Sequence, residues 1–171
     1  MPLKVDFTLD ENSHRQYLNG HNVVMHSHHY LALITKLAED LADVNGPQIL
    51  ADTVEDTMRV LFEDYFQKNG ITDNKDKGMV GTEYFSTFGL GKMTISGNDQ
   101  SGEARLIHSH IDEGWLQKWG PHHKPINHFT RGYVAAMFGV IFNRAPRSFS
   151  VTETAGMVTG EEQSVFIVKA A

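Results

Sequence analysis

The stretch Ile126-Asn-His-Phe-Thr-Arg-Gly-Tyr-Val-Ala-Ala-Met-Phe-Gly-Val-Ile-Phe142, followed by Arg147-Ser-Phe-Ser-Val-Thr-Glu-Thr154 and Gln163-Ser-Val-Phe-Ile-Val-Lys169, decides the fold. The first part is apolar and free of proline, and it predicts a helix over about Asn127 to Phe142. The next two parts are β-branched and aromatic at alternate positions, and they predict two strands turned at Thr159-Gly160-Glu161.

Upstream, Glu103 to Ile111 alternates like a strand, preceded by the turn signal Gly97-Asn98-Asp99. Thr82 to Ser96 is aromatic and β-branched and predicts the strand before it, with glycines at 89 and 91. A short helix is expected around Glu113 to Trp119. Ile71 to Gly81 is polar and rich in Gly, Asp and Lys, the composition of a mobile surface loop that would serve as a gate.

Between Val24 and Val44, apolar residues recur at Tyr30, Leu33, Ile34, Leu37, Leu41 and Val44, the spacing of one helix face. Asn45-Gly46-Pro47 breaks that helix and starts a second. Leu50, Val54, Met58, Leu61, Tyr65 and Phe66 carry the pattern on to Asn69-Gly70, so the two helices should pair antiparallel. Near the N-terminus, Lys4 to Phe7 reads as a short strand, and Asn19-Gly20 is the pair favoured in type I′ hairpins. The whole is an α+β domain, an antiparallel sheet with helices packed on one side. Residues 1–22 form an arm or hairpin, 24–69 the helical pair and 82–171 the sheet with its helix.

At 171 residues and 40% hydrophobic content, the chain suits one core. A net charge of −6 without a basic cluster argues against nucleic acid. No apolar run approaches the length of a membrane span or leader, so a soluble, cytoplasmic protein is expected. The absence of cysteine excludes disulfides, thiolate metal sites and cysteine nucleophiles. Dinucleotide, phosphate-loop, nucleophile-elbow and His-Glu-x-x-His patterns are absent.

The order Gly89-Leu90-Gly91, Ser109, Gly132-Tyr133, Glu153, Gly160-Glu161 and Phe166 resembles the 4-vinyl-reductase-type small-molecule-binding domain from about Thr82 to the end. That family's fold is similar to vesicle-tethering subunits. The resemblance implies a homodimer with a pocket for a small hydrophobic or aromatic molecule between helices and sheet. Many members also hold a structural zinc with three cysteines and a glutamate. By position those ligands fall near Phe129 or Thr130 and at Glu153, Gly156 and Ser164, so only the glutamate is present. One carboxylate cannot replace four zinc ligands. The corner is expected to close by packing and hydrogen bonds, with Glu153 paired to Arg131, Arg144 or a backbone amide.

Ten histidines remain to be explained. His108 and His110, read as alternate residues of one strand, would share a face. His26 and His29 at the start of the first helix could meet them, with His28 turned to solvent. His26, His29, His108 and His110, or three of them with Glu83 or Glu153, would give Zn or Fe a nitrogen-rich site. The same rings would equally serve as surface groups or as hydrogen-bonding partners of an organic ligand. His122, His123 and His128 look like part of a surface corner in Gly120-Pro-His-His-Lys-Pro125 and just beyond it.

The first reading is therefore a binding protein, a sensor or accessory module, in which His108 and His110 orient a ligand and Trp115, Phe129 and Tyr133 wall it. Two rivals are a small His-rich metalloenzyme acting on an organic substrate and a structural or assembly subunit whose aromatics form an interface.

Overall fold

The computed structural model describes residues 2–171. Three short strands come first: β1 (Phe7–Asp10), β2 (Arg15–Leu18) and β3 (His21–Val23), an antiparallel meander. Leu18 pairs with His21, and the intervening Asn19 and Gly20 have φ of +51° and +84°, the double positive φ of a type I′ turn. This small sheet is tied to the helices by Lys4 N–H donating to Tyr65 Oη at 2.8 Å and by His21 against Asp64 at 2.9 Å.

Helices α1 (His28–Asp40) and α2 (Gly46–Asn69) follow. The second buries Val54, Leu61, Tyr65 and Phe66 as its periodicity predicts, and it packs mainly on α5 (His128–Ile141). The first behaves otherwise: Leu31, Ala32, Thr35 and Ala38 are buried, while Tyr30, Leu33, Leu37 and Leu41 face outward at 54, 39, 49 and 52% exposure. The periodic face is real, but this chain alone does not cover it.

The expected loop at Ile71 to Gly81 and the expected strand from Thr82 are both corrected. Residues Asn74–Thr87 form α3. Asp73 caps it, its side chain accepting from the Lys75 and Asp76 amides, and Val80, Tyr84 and Phe85 bury its inner face. Gly78 and Gly81 are buried in that helix because a Cβ at 81 would stand 2.6 Å from Met137 Cε and one at 78 would stand 3.3 Å from Ile95. Gly89 and Gly91 lie in the turn after α3 rather than in a strand.

Strands β4 (Lys92–Gly97), β5 (Ser101–Ile107), β6 (Phe149–Ala155) and β7 (Ser164–Ala170) make an antiparallel sheet in the order β4-β5-β7-β6. Alternate residues face the core, among them Met93, Ala104, Leu106, Val151, Phe166 and Val168. Helix α4 (His110–Trp119) packs with α1, and α5 runs through the core, buried at nearly every position. The result is α+β, with the helices on one side of the sheet.

Candidate functional site

The tandem His108 and His110 do not belong to a strand. The strand stops at Ile107, His108 takes φ +55°, and Ser109 caps α4 by accepting from the Asp112 amide, so His110 is the first residue of a helix. His108 is exposed, with Nδ1 4.0 Å from Glu113 Oε1. His110 faces the start of α1, its ring centroid 5.8 Å from His26 and 5.5 Å from His28. His28, expected in solvent, is thus the histidine that joins the cluster, and His29 touches only its outer side, 4.7 Å from the His28 ring. Burial, followed by the neighbouring His28 and His26, lowers the His110 pKa.

The five residues expected to line a ligand pocket take separate places. Trp115 is 2% exposed, between Trp119 at 4.9 Å and His122 at 5.2 Å. Tyr133 is fully buried against Phe62 and Phe85, its hydroxyl donating to the Gly81 carbonyl at 2.7 Å. Phe129 is partly buried and packs against the hydrophobic core.

A wide apolar opening lies elsewhere, where α3 and α5 diverge over the edge strand β4. This cleft of about 550 Å³ is walled by Met79, Met93, Ile95, Phe138, Ile141 and Phe142, with Thr82, Thr94 and Ser96 among its polar groups. It is hidden in the sequence because its α3 wall has the composition of a loop. The missed signal is local: Asp73 is an N-cap residue, and Asp76 supplies charge to the first turn.

A second polar focus sits where α4, α5 and β6 meet. Glu153 Oε2 accepts from the Asn127 amide at 2.7 Å, one of the three pairings expected for it. Asn127 Nδ2 donates to Asp112 Oδ2 at 3.0 Å and to Ser109 Oγ at 3.1 Å, while Asn127 Oδ1 caps α5 through the Thr130 amide. Ser109, Asp112, Asn127, Thr130 and Ser164 are all buried. A Cβ at Gly156 would lie 3.1 Å from Glu153 Oε1, so glycine leaves room for the carboxylate. Burial and the nearby Asp112 push the Glu153 carboxyl up to about 8, and burial raises Asp112 as well. The corner thus holds two buried carboxyls, each hydrogen-bonded to Asn127, whose ionisation burial disfavours.

His128, expected on a surface corner, is buried. Its Nε2 meets Glu39 Oε1 at 2.5 Å and its Nδ1 meets an Arg131 guanidinium nitrogen at 3.1 Å. Arg131 has only donors, so Nδ1 must accept and the proton resides on Nε2. Burial lowers the His128 pKa against the pull of Glu39, which keeps this neutral form. His122 is also drawn inward, its Nε2 buried beside Trp115.

No family model and no curated protein matches the chain. Solved structures do. The phenol-responsive sensory domain of the transcription activator PoxR, with phenol, superposes at TM-score 0.74 with 13% identity, covering 96% of this chain and 84% of that one. A vinyl-4-reductase family protein from Methanocaldococcus jannaschii gives 0.51 and 19% identity over 71% of this chain and 68% of the other. A trafficking protein particle complex subunit 3 from Naegleria fowleri, covalently bound to palmitic acid, gives 0.55 and 12% identity over 84% of this chain and 95% of the other. The fold is shared with all three. At these identities the likeness is one of fold. No described helix is long and apolar enough to cross a membrane.

The carboxyl corner has a pH signature. Below the ordinary carboxylate range Glu153 is protonated in both folded and unfolded chains. Between about 4.5 and about 8 the unfolded chain is ionised while the fold retains the proton, so this group's contribution to stability falls as pH rises and levels off above 8. Glu153→Gln keeps an acceptor for the Asn127 amide and removes the charge. It should raise the Tm at pH 8 by roughly 4 °C or more and have little effect at pH 4.5, since each kcal/mol is worth roughly 2–4 °C in a chain of this size. Thermal melts of both proteins across that range provide the check.

Proposed function

We propose that the protein binds a small apolar or aromatic molecule in the cleft between α3, α5 and β4 and acts as a sensor or accessory module. The observation that carries this is the cleft itself: about 550 Å³, lined by thioether, aliphatic and aromatic side chains, with a few hydroxyls on the same walls. That size and lining are typical of small-molecule sites. The phenol-responsive sensory domain of like fold supports the same ligand class. Met79 and Met93 supply adaptable thioether walls, and Phe138 and Phe142 supply ring faces. Thr82 or Ser96 would hydrogen-bond a phenolic hydroxyl.

The outward stripe of α1 supports a second element of the proposal, a homodimer. Tyr30, Leu33, Leu37 and Leu41 follow three- and four-residue steps on one exposed face, continued by Val44 at 58%. Such a narrow self-complementary seam suits a two-fold contact between copies.

Two experiments test these statements. Titration with phenol and alkylphenols, followed by calorimetry and thermal shift, should show saturable binding, and Met79→Trp, which fills the cleft from a side chain 36% exposed, should weaken it at least about tenfold. Absence of binding, or affinity unchanged in Met79→Trp, contradicts the cleft as the site. Light scattering should give a dimer for the native chain and a folded monomer for Leu37→Glu; a native monomer, or a dimer indifferent to Leu37→Glu, removes the seam.

A further inference from the structure

The cleft beside α3 does not end at Thr82. A second opening of about 430 Å³ continues it, and Thr82 and Met93 wall both. The cleft takes α3 from Asn74 to Thr82 and β4 from Met93 to Gly97, whereas the second opening takes α3 from Thr82 to Thr87 and β4 at Lys92 and Met93. Successive halves of the helix and of the strand thus wall successive halves of one groove. At about 1.5 Å per residue, Asn74–Thr87 spans roughly 20 Å. A single aromatic ring is much shorter than that, and a linear chain follows it. Apolar side chains recur along the whole length, with Met79 and Ile95 in the near half, Met93 at the junction, and Leu3 and Val5 in the far half. The N-terminal segment that carries the last two is held against α3, the Leu3 amide donating to the Glu83 carboxylate.

Charge is spread unevenly along this groove. Lys75 is the one charged residue lining the near half; Asp73, which caps α3, and Asp76 lie beside it in sequence and do not line the opening. In the far half Lys92 is set against Glu83. The Ser86 and Thr87 hydroxyls there donate to the carbonyls of Gly91 and Glu83, so they are engaged with backbone. An anionic group therefore meets a cation without a carboxylate on the same wall only at the Lys75 end. The far half suits the apolar remainder of the ligand.

We propose that the ligand is a linear amphiphilic anion, a long-chain carboxylate taken up as a free monomer, with its carboxylate at Lys75 and its chain running along α3 past Met93 to Leu3 and Val5. This rests on the cleft being the ligand site, and it adds the length, the charge and the direction of the ligand. Each methylene laid against the groove leaves water on its inner side, so affinity grows with chain length until the far half is filled.

Calorimetric titration of the full chain with hexanoate, octanoate, decanoate and dodecanoate, each kept below its micellar concentration, tests the assignment, with phenol as the reference. Affinity should rise about twofold or more per added methylene up to dodecanoate. Lys75→Glu should weaken dodecanoate by about fivefold or more, and Lys92→Glu should leave it within about twofold. Val5→Asn should weaken dodecanoate by about threefold and leave octanoate unchanged, since only the longer chain reaches that wall. Lys75 and Lys92 are exposed and Val5 is 56% exposed, so none of these variants opens the core. No gain beyond octanoate, equal losses in Lys75→Glu and Lys92→Glu, or binding only where the carboxylate forms micelles would overturn the proposal. If phenol still binds in that case, the cleft stands as the site and only the linear anion falls; if neither phenol nor any carboxylate binds, the cleft falls with it.

Discussion

The contact between Gly132 and the backbone of Ala51 sets the position of everything else in the helical layer. A Cβ at 132 would lie 2.1 Å from the Ala51 carbonyl oxygen, so only glycine lets α5 and α2 approach this closely. Glycine within a helix costs about 1 kcal/mol relative to alanine. Here the cost is offset by the burial of almost the whole of α5 between α2 and the sheet. Tyr133, the next residue, passes the constraint on, since its hydroxyl is bonded to the Gly81 carbonyl of α3. Met137 then fills the space left by the missing side chain of Gly81. Three helices are fixed in this way, and where α3 meets the sheet edge at β4 the walls diverge to form the cleft.

What the sequence disclosed follows the range of the interactions involved. The Asn19-Gly20 turn, the β6 and β7 hairpin and helix α5 rest on local backbone preference and on unmistakable periodicity, and all are present. Helix α3 was hidden because its first turns are charged and glycine-bearing while its later residues Thr82, Tyr84 and Phe85 favour strands. Tertiary burial of Val80, Tyr84 and Phe85 outweighed those propensities. The His108-Ser-His110 reading failed for a related reason: alternation continued past the strand end, yet Ser109 with Asp112 three residues later is a helix-cap pattern.

The site was legible only in fragments. Histidine spacing drew attention to the starts of α1 and α4, but which rings meet depends on how two helices pack, and that brought in His28 where His29 and His108 had been expected. For Glu153 a backbone amide was one of three partners expected and is the one present, whereas Asp112 gave no sign in the sequence of sharing the same buried corner. The apolar face of α1 was visible as periodicity. Periodicity reports which residues share a face and is silent on what covers it, so the exposure of Leu33, Leu37 and Leu41 emerged only from the fold.

The molecule divides by chemistry into a carboxyl corner that closes the junction of α4, α5 and β6, an exposed apolar face on α1, and an apolar cleft beside α3, the proposed ligand site. Ligand entry into that cleft is the central claim, and methyl-detected NMR of the native chain titrated with phenol tests it most directly. Saturable shifts of the Ile95, Ile141 and Met79 methyls, with Ile111 and Ile126 near the carboxyl corner unmoved, are the predicted result. Shifts confined to Ile111 and Ile126, or no shift at all, would contradict it.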